Sequence, residues 1–252
     1  MKDTIKKLVN LYKSDGLFST AKIAYKKVHS RAVKSLSKQD NSTIFAKIYE
    51  GNLWKSNESR SGAGSELANT ANLIKLLPEV FERFKIQTII DAPCGDFNWM
   101  KHVPMKSNLS YLGIDIVPDL IKSNQKNYGN EQYNFILADI TKGPLPRADL
   151  LFCRDCLFHL PYKDIFLVLK NFVESDIPLL LTTTHINTNN FINTNIRVGS
   201  FRNIDLFAEP FCLPKDVHYR IEDFVMPDQP REMCLWDKEQ IRSALHKMSK
   251  MI

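Results

Sequence analysis

The sequence predicts an α/β fold, a doubly wound and mostly parallel sheet of seven strands behind an N-terminal helical extension. Three observations carry that expectation. From residue 68 onward, short apolar runs alternate with stretches of helical period, joined by short connections, which is the pattern of βαβ units. The runs L-L-F-C (Leu150–Cys153) and L-L-L-T (Leu179–Thr182) are apolar on both faces, as strands in the middle of a parallel sheet must be. An aspartate also closes or follows each of the first three runs: Asp91, Asp115 and Asp139.

Taken in order, residues 1–38 place Ile5, Leu8, Val9, Leu11 and Tyr12, then Ala21, Ile23, Ala24, Tyr25 and Val28, at helical spacing, with Ser14-Asp15-Gly16 as a break. Ser37–Ser42 is a polar linker candidate, and residues 1–45 form the basic extension to a domain spanning 46–252. Thr70–Phe84 is helical in period, with Pro78 as a break. Thr88–Asp91 is the first strand, and Asn98–Val103 begins a short helix. Tyr111–Asp115 is a strand, and Pro118–Tyr128 is a helix with proline near its start, where its missing N–H costs nothing. Tyr133–Leu137 and Ala148–Cys153 are strands, Lys163–Glu174 a helix, and Pro178–Thr184 a strand. The period then fails across 185–216, a segment rich in Asn, Phe and Pro. A connection that long is functional or disordered, and Phe191, Phe201, Phe207 and Phe211 argue against disorder. Strands resume at Tyr219–Val225 and Glu232–Trp236, and Asp237 is placed to cap a last helix.

Composition narrows the function. Residues 1–38 hold ten Lys/Arg against two Asp, a balance of +8. The whole chain is +6, so the other 214 residues sum to −2. A body of that sign disfavours nucleic acid as partner. The basic segment fits contact with an anionic membrane surface, or packing on the body or on a second subunit, as in a homodimer; packing is the favoured reading. No window approaches the roughly 18 apolar residues of a spanning helix, and the N-terminus has no uncharged signal core, so a cytoplasmic location is expected. The five cysteines are odd in number and scattered. Cys153 and Cys156 have no second ligand pair, so no metal is expected.

The loop D-A-P-C-G-D-F-N-W-M (Asp91–Met100) follows the first strand, where a doubly wound sheet binds its ligand. A dinucleotide would require G-x-G-x-x-G; here only Gly95 allows close backbone approach, and Pro93 removes an N–H that a phosphate would use. The loop suits a nucleoside without a pyrophosphate. Asp91 and Asp96 can accept from an ammonium group, Asp115 from ribose hydroxyls and Asp139 from an adenine amino group, with Ile116 and Ile140 on either side of the ring.

D-A-P-C-G-D, G-I-D-I and A-D-I, in that order and spacing, resemble the class I S-adenosylmethionine-dependent methyltransferases, whose sheet is Rossmann-like. The resemblance spans about residues 54–236. Finer features are W-K-S-N-E-S-R-S-G-A-G-S (Trp54–Ser65), C-R-D-C-L-F-H-L (Cys153–Leu160) and N-I-R-V-G-S-F-R-N-I-D-L-F-A-E-P-F-C-L-P (Asn195–Pro214). These are similar to methyltransferases of bacterial capsule and surface-polysaccharide clusters. The resemblance implies S-adenosyl-L-methionine as cofactor and a small-molecule acceptor. That acceptor would be a nucleotide-linked sugar such as a heptose, or a phosphorylated precursor of a methyl phosphoramidate group. Where that branch carries Trp before Arg202, this chain has Phe201, and P-C replaces a glycine in the first motif.

A hydroxyl acceptor needs a base within hydrogen-bond reach. His185, at the end of T-T-T-H, is the expected base, Asp155 its assistant or substitute, and His159 a residue shaping the pocket. Ser59, Ser61 and Ser65 are expected to close over the donor's carboxylate. Trp54, Trp99 and Arg154 would pack beside the donor. Arg197 and Arg202 suit an acceptor phosphate, Asn203 its hydroxyls, and Phe211 the wall of its site, within an acceptor-binding insertion at 185–216. A non-catalytic donor-binding scaffold is the contrasting reading.

Overall fold

The computed structural model describes residues 40–187, 191–226 and 228–249. The helical pair expected within 1–38 lies outside them. The first described element is a helix that the sequence pattern did not announce, α1 (Asn41–Glu50). Asp40 caps it, accepting from the Thr43 N–H at 2.9 Å and the Thr43 hydroxyl at 3.1 Å, and Ile44 and Ile48 bury one face. Of the residues expected to form a linker, Asp40 is the cap and Asn41 and Ser42 open the first turn, and the helix runs across the expected boundary at residue 45. Two side chains fix it to the body: Ser42 Oγ donates to the Ile116 carbonyl at 3.1 Å and Asn41 Nδ2 to Asp164 at 3.0 Å.

Then follow α2 (Leu67–Arg83), β1 (Thr88–Asp91), β2 (Ser110–Asp115), α3 (Pro118–Tyr128), β3 (Tyr133–Leu137) and β4 (Leu150–Cys153). The chain ends with α4 (Tyr162–Glu174), β5 (Leu179–His185), β6 (Tyr219–Glu222), β7 (Arg231–Asp237) and α5 (Lys238–Met248). Helix α2 passes through Pro78 without ending, contrary to the expected break. Met100–His102 makes a single 3₁₀ turn in place of the short helix expected there. Asp237 caps α5 with a full capping box: its carboxylate accepts from the Gln240 N–H, and the Gln240 side chain accepts from the Asp237 N–H.

The strands form one sheet in the order β3-β2-β1-β4-β5-β7-β6. The first five are parallel, and β7 is antiparallel to both neighbours. Successive strand residues face opposite layers. Ile90, Leu151 and Leu180 pack with Ile165, Leu169 and Phe172 of α4 and with Ile241 of α5. Ile89, Leu150 and Leu181 pack with Leu73, Leu77 and Val80 of α2 and with Leu120 of α3. Strand order reverses between β1 and β4, so the crevice at the carboxyl ends of these strands is where a ligand is held. Across that edge lie, in order, Asp139 after β3, Asp115 closing β2, Asp91 closing β1, Arg154 and Asp155 after β4, and His185 closing β5.

Candidate active site

A cavity of about 850 Å³ opens at this edge. The expected residues Trp54, Ser61, Ser65, Asp91, Pro93, Gly95 and Trp99 line it, as do Asp115, Ile116, Asp139 and Ile140. Arg154, Asp155, His159, His185, Arg197 and Asn203 complete the expected set that it brings together. Ser59, Asp96, Arg202 and Phe211 do not line it.

The glycine loop is held by its neighbours. Gly95 has φ +55°, and its N–H donates to Asp115 Oδ2 at 3.1 Å while its carbonyl accepts from Asn124 at 2.8 Å. A Cβ at Gly95 would stand 2.4 Å from Ser61 Oγ, so glycine is required both by conformation and by space. Asp115 also accepts from the Val117 N–H at 3.0 Å. Burial pushes its carboxyl up to about 6, against the pull of these N–H donors. Asp91 accepts from the Tyr111 hydroxyl at 2.6 Å. Burial, with the charge of Asp115 added, pushes Asp91 up to about 8, while Tyr111 and Arg154 act against the rise.

Asp96 ties two segments together. Its carboxylate accepts from Ser59 Oγ at 3.0 Å and from the Arg60 N–H at 2.7 Å, and Ser61 Oγ in turn accepts from the Asp96 N–H at 2.8 Å. Ser59 and Asp96 thereby clasp the S-R-S-G-A-G-S segment to the end of β1.

Two buried polar atoms on cavity-lining residues fit the expected donor. Asp139 Oδ1 accepts from the Thr141 N–H and hydroxyl at 2.9 and 2.6 Å. Its Oδ2 accepts no hydrogen bond among the described residues, although the exposed Lys142 ammonium lies 3.1 Å away. That acceptor suits an adenine amino group. Trp54 Nε1 is a buried donor, likewise without a hydrogen-bond partner among the described residues.

Beyond the donor residues lies a buried ionic quartet, half of which the sequence pattern did not reveal. Arg154 forks onto Asp223, Nε to Oδ2 at 2.8 Å and Nη2 to Oδ1 at 2.9 Å. Arg231 reaches Asp223 at 3.4 Å and Asp155 at 3.3 Å, and Arg154 lies 3.6 Å from Asp155. Burial favours neutral forms throughout. For Arg154 the two aspartates more than offset it and raise the guanidinium, and for Asp155 the two guanidiniums more than offset it and hold the carboxyl below its ordinary range. For Asp223 burial wins, raising the carboxyl despite both arginines. Arg154, expected beside the donor, thus spends its hydrogen-bonding fork on Asp223 while its guanidinium lies 5.3 Å over the Trp99 ring. Asp223 and Arg231 lie outside every motif quoted above, and no local signal marks them.

Hydrogen bonds hold the two histidines in opposite arrangements. His185 Nδ1 accepts from the Ile204 N–H at 3.2 Å, which places the proton of the neutral ring on Nε2. Burial pushes its pKa down to about 4, despite Asp155. A neutral imidazole whose Nδ1 accepts from a backbone N–H has its Nε2–H available to donate. His159 has the opposite arrangement. Its Nδ1 lies 2.8 Å from the Ser200 carbonyl and must donate to it, so the basic lone pair is on Nε2. Trp54 stacks on this ring, centroids 5.3 Å apart and planes at 28°.

The segment after β5 also redistributes roles. Arg202 is buried and donates to the Leu160 carbonyl at 2.8 Å and the Leu157 carbonyl at 3.4 Å, with its guanidinium 5.2 Å over Tyr162. Burial pushes it down to about 10. It binds the turn that carries His159 and is turned away from any acceptor phosphate. Phe211 is fully buried, edge-on to Tyr162 at 5.3 Å, and belongs to the core. Phe201 lines the cavity in its place, 6.0 Å from His159 and 6.2 Å from His185. Arg197 is exposed at the cavity wall. Asn41, Phe45 and Tyr49 of α1 close another side.

A family model described as a methyltransferase domain matches residues 90–173. No curated protein matches significantly. Among solved structures, the chain is similar to magnesium protoporphyrin IX methyltransferase (ChlM) from Synechocystis PCC 6803 with bound SAH. The two share 12% identity over 81% of this chain and 98% of that one, with a TM-score of 0.54. It is similar also to the S-adenosylmethionine-dependent methyltransferase SibL in its apo form, at 12% identity over 92% of this chain and 72% of that one, TM-score 0.52. A third likeness is to the methyltransferase domain of bacterial CtHen1-CN, at 13% identity over 67% and 99%, TM-score 0.50. At such identities the likeness is one of fold.

Proposed function

We propose that this chain, an S-adenosylmethionine-dependent methyltransferase by domain and by fold, methylates a hydroxyl of a nucleotide-activated, heptose-like sugar in cytoplasmic capsular polysaccharide synthesis. The observation that carries the hydroxyl acceptor is the place of His159 on the cavity wall, with its Nδ1 held 2.8 Å from the Ser200 carbonyl and Trp54 stacked on its ring. The sugar class rests on the three sequence motifs and on the exposed guanidinium of Arg197, suited to a diphosphate.

Gly95, Asp91, Asp115, Asp139, Ile116 and Ile140 would hold the donor. When bound, it supplies a methyl group on a sulfonium, already activated for in-line displacement. His159 Nε2 takes the proton of the acceptor hydroxyl. The His185 Nε2–H donates to an acceptor oxygen and keeps it oriented. Asp155, ionised and fixed by Arg154 and Arg231, favours the imidazolium that His159 becomes. Trp54 and the Ser200 carbonyl keep that ring from turning. Arg197 and Asn203 contact the acceptor within an insertion at 185–216.

The test is mass spectrometry of the full chain with S-adenosylmethionine and a panel of nucleotide-linked hexoses and heptoses plus phosphorylated precursors. A methylated nucleotide sugar supports the proposal. Methylation confined to a phosphorylated precursor overturns the sugar. Donor binding without turnover on any hydroxyl acceptor, with wild-type protein, counts for a scaffold.

A further inference from the structure

We propose that Phe201 determines acceptor specificity, as an aromatic platform on which the apolar face of a closed sugar ring stacks while one of its hydroxyls meets the histidines. The inference deepens the reading of a sugar acceptor and rests on it. Among the described residues seven large apolar side chains are exposed, and of these Phe201 alone lines the cavity. The backbone on both sides of it is tied to the turn that bears His159. The Gly199 N–H donates to the His159 carbonyl at 2.8 Å, the Ser200 carbonyl lies 2.8 Å from His159 Nδ1, and the Arg202 N–H donates to the Phe158 carbonyl at 3.3 Å. Two residues further on, Ile204 is tied to the end of β5. The His185 N–H donates to the Ile204 carbonyl at 2.8 Å, and the Ile204 N–H donates to His185 Nδ1 at 3.2 Å. The segment that carries Phe201 thus bridges the two histidines.

The ring is fixed along with its backbone. It stands edge to face against the buried Phe158, centroids 5.3 Å apart and planes at 71°, and against His185 at 6.2 Å and 80°. Yet 40% of Phe201 stays exposed. A single exposed apolar residue is ordinary on an outer surface. A large aromatic held by a rigid frame inside a cavity, beside two imidazoles, is placed for a ligand. Chemistry selects that ligand. A hydroxyl carried directly on a ring and held about 3 Å from His159 Nε2 sets the ring itself beside Phe201, whose centroid is 6.0 Å from that of His159. The electron-rich face of the phenyl ring attracts the slightly positive C–H groups on one face of a sugar ring. The hydroxyls at the sugar's rim then meet Ser200 and Asn203, which line the same cavity. An open-chain polyol has no such apolar face. An aromatic acceptor would stack as well, but brings few hydroxyls to the polar side chains around the platform.

The experiment is steady-state kinetics of the full chain with S-adenosylmethionine on four acceptor sets: nucleotide-linked hexoses and heptoses, ring-form sugar phosphates, phenols, and open-chain polyol phosphates. Phe201→Ala is expected to raise KM for a ring-form sugar about tenfold, with kcat changed less. Phe201→Tyr should keep the wild-type KM, and Phe201→Leu, apolar but not flat, should fall between. Affinity for S-adenosylhomocysteine and melting temperature should match wild type in all three. An unchanged KM for a methylated nucleotide sugar in Phe201→Ala overturns this inference and leaves the nucleotide-sugar acceptor standing. Methylation of ring-form sugar phosphates that depends on Phe201, with nucleotide-linked sugars inert, keeps the platform and removes the nucleotide. Methylation confined to phenols or open-chain acceptors, or of nothing in the panel, overturns the inference. A raised KM that comes with a lowered melting temperature and does not recover in Phe201→Tyr assigns the ring to the fold and overturns it too.

Discussion

Gly64 lies so close to Asp155 that a Cβ added to it would stand 2.6 Å from the carboxylate Oδ2. The glycine segment that Ser59 and Asp96 clasp to β1 is thereby pressed against the ionic quartet, and the two halves of the cavity share a wall. Gly64→Ala is expected to displace Asp155 from Arg231. Stability should fall by about 1–3 kcal/mol, and turnover should fall while donor binding, measured by calorimetry with S-adenosylhomocysteine, persists. Undisturbed turnover would show that the position of Asp155 is immaterial to the reaction.

The two histidines should separate by pH. His159→Gln is expected to lower kcat by about 10²–10⁴-fold and to abolish the acidic limb of the kcat profile. His185→Gln should keep that limb, because a ring whose pKa is held near 4 stays neutral across it. A limb that vanishes with His185 and survives loss of His159 would restore the roles that sequence alone suggested.

Asp91 and Asp115 bind protons in the folded chain at about 8 and about 6, well above an exposed carboxylate. Such raised values stabilise the fold most at low pH, below the unfolded carboxyl range. That contribution is lost as pH rises through 6 and then 8. If the ammonium group that donor and S-adenosylhomocysteine share is bound beside Asp91, it favours the carboxylate, so binding should release protons near neutral pH and tighten as pH rises toward 8. Calorimetry of S-adenosylhomocysteine binding in buffers of different ionisation enthalpy measures this release. Asp91→Asn should lose most of it, and an unchanged release in that variant would place the titration elsewhere.

Asp139→Asn keeps an oxygen for the Thr141 donors and puts an NH₂ where Oδ2 was. If that oxygen receives the adenine amino group, two donors then meet. Donor affinity should fall by about 10–100-fold, as for loss of a hydrogen bond worth about 1.5–3 kcal/mol, with melting temperature little altered. Equal affinity would leave Oδ2 without that role.

Arg202 holds the turn that carries His159. Arg202→Met removes a buried guanidinium together with its bonds to Leu157 and Leu160. The expected result is reduced kcat with a displaced acidic limb and an unchanged affinity for donor, and partial recovery in Arg202→Lys. A pH profile identical to wild type would limit Arg202 to a structural role.

The parallel strands were legible because they are buried on both faces, and Asp91, Asp115 and Asp139 because strand ends carry them to one edge. Other features depend on distant partners. Helix α1 hides behind S-K-Q-D-N-S, whose polar residues read equally as linker or as cap. Pro78 reads as a stop, yet α2 buries Leu73, Leu77 and Val80 on β1 and its neighbours and continues through it. The roles of the histidines turn on a carbonyl at Ser200 and an N–H at Ile204, which no spacing encodes. Arg202 and Phe211 carry side chains suited to a ligand, but the fold turns them inward, and nothing in their neighbours along the chain announces it.

The quartet of Arg154, Asp155, Asp223 and Arg231 contains two positive and two negative groups, Arg154 and Asp223 buried and Asp155 and Arg231 at the cavity wall. Its formal charges cancel, and mobile ions reach it poorly. Added electrolyte should therefore leave the reacting centre nearly untouched and act on the exposed Arg197 and the lysine-rich first 38 residues. An electrolyte series becomes a way to divide the molecule: whatever survives high ionic strength belongs to the interior chemistry, and whatever fades reports how the protein meets its acceptor and its surroundings.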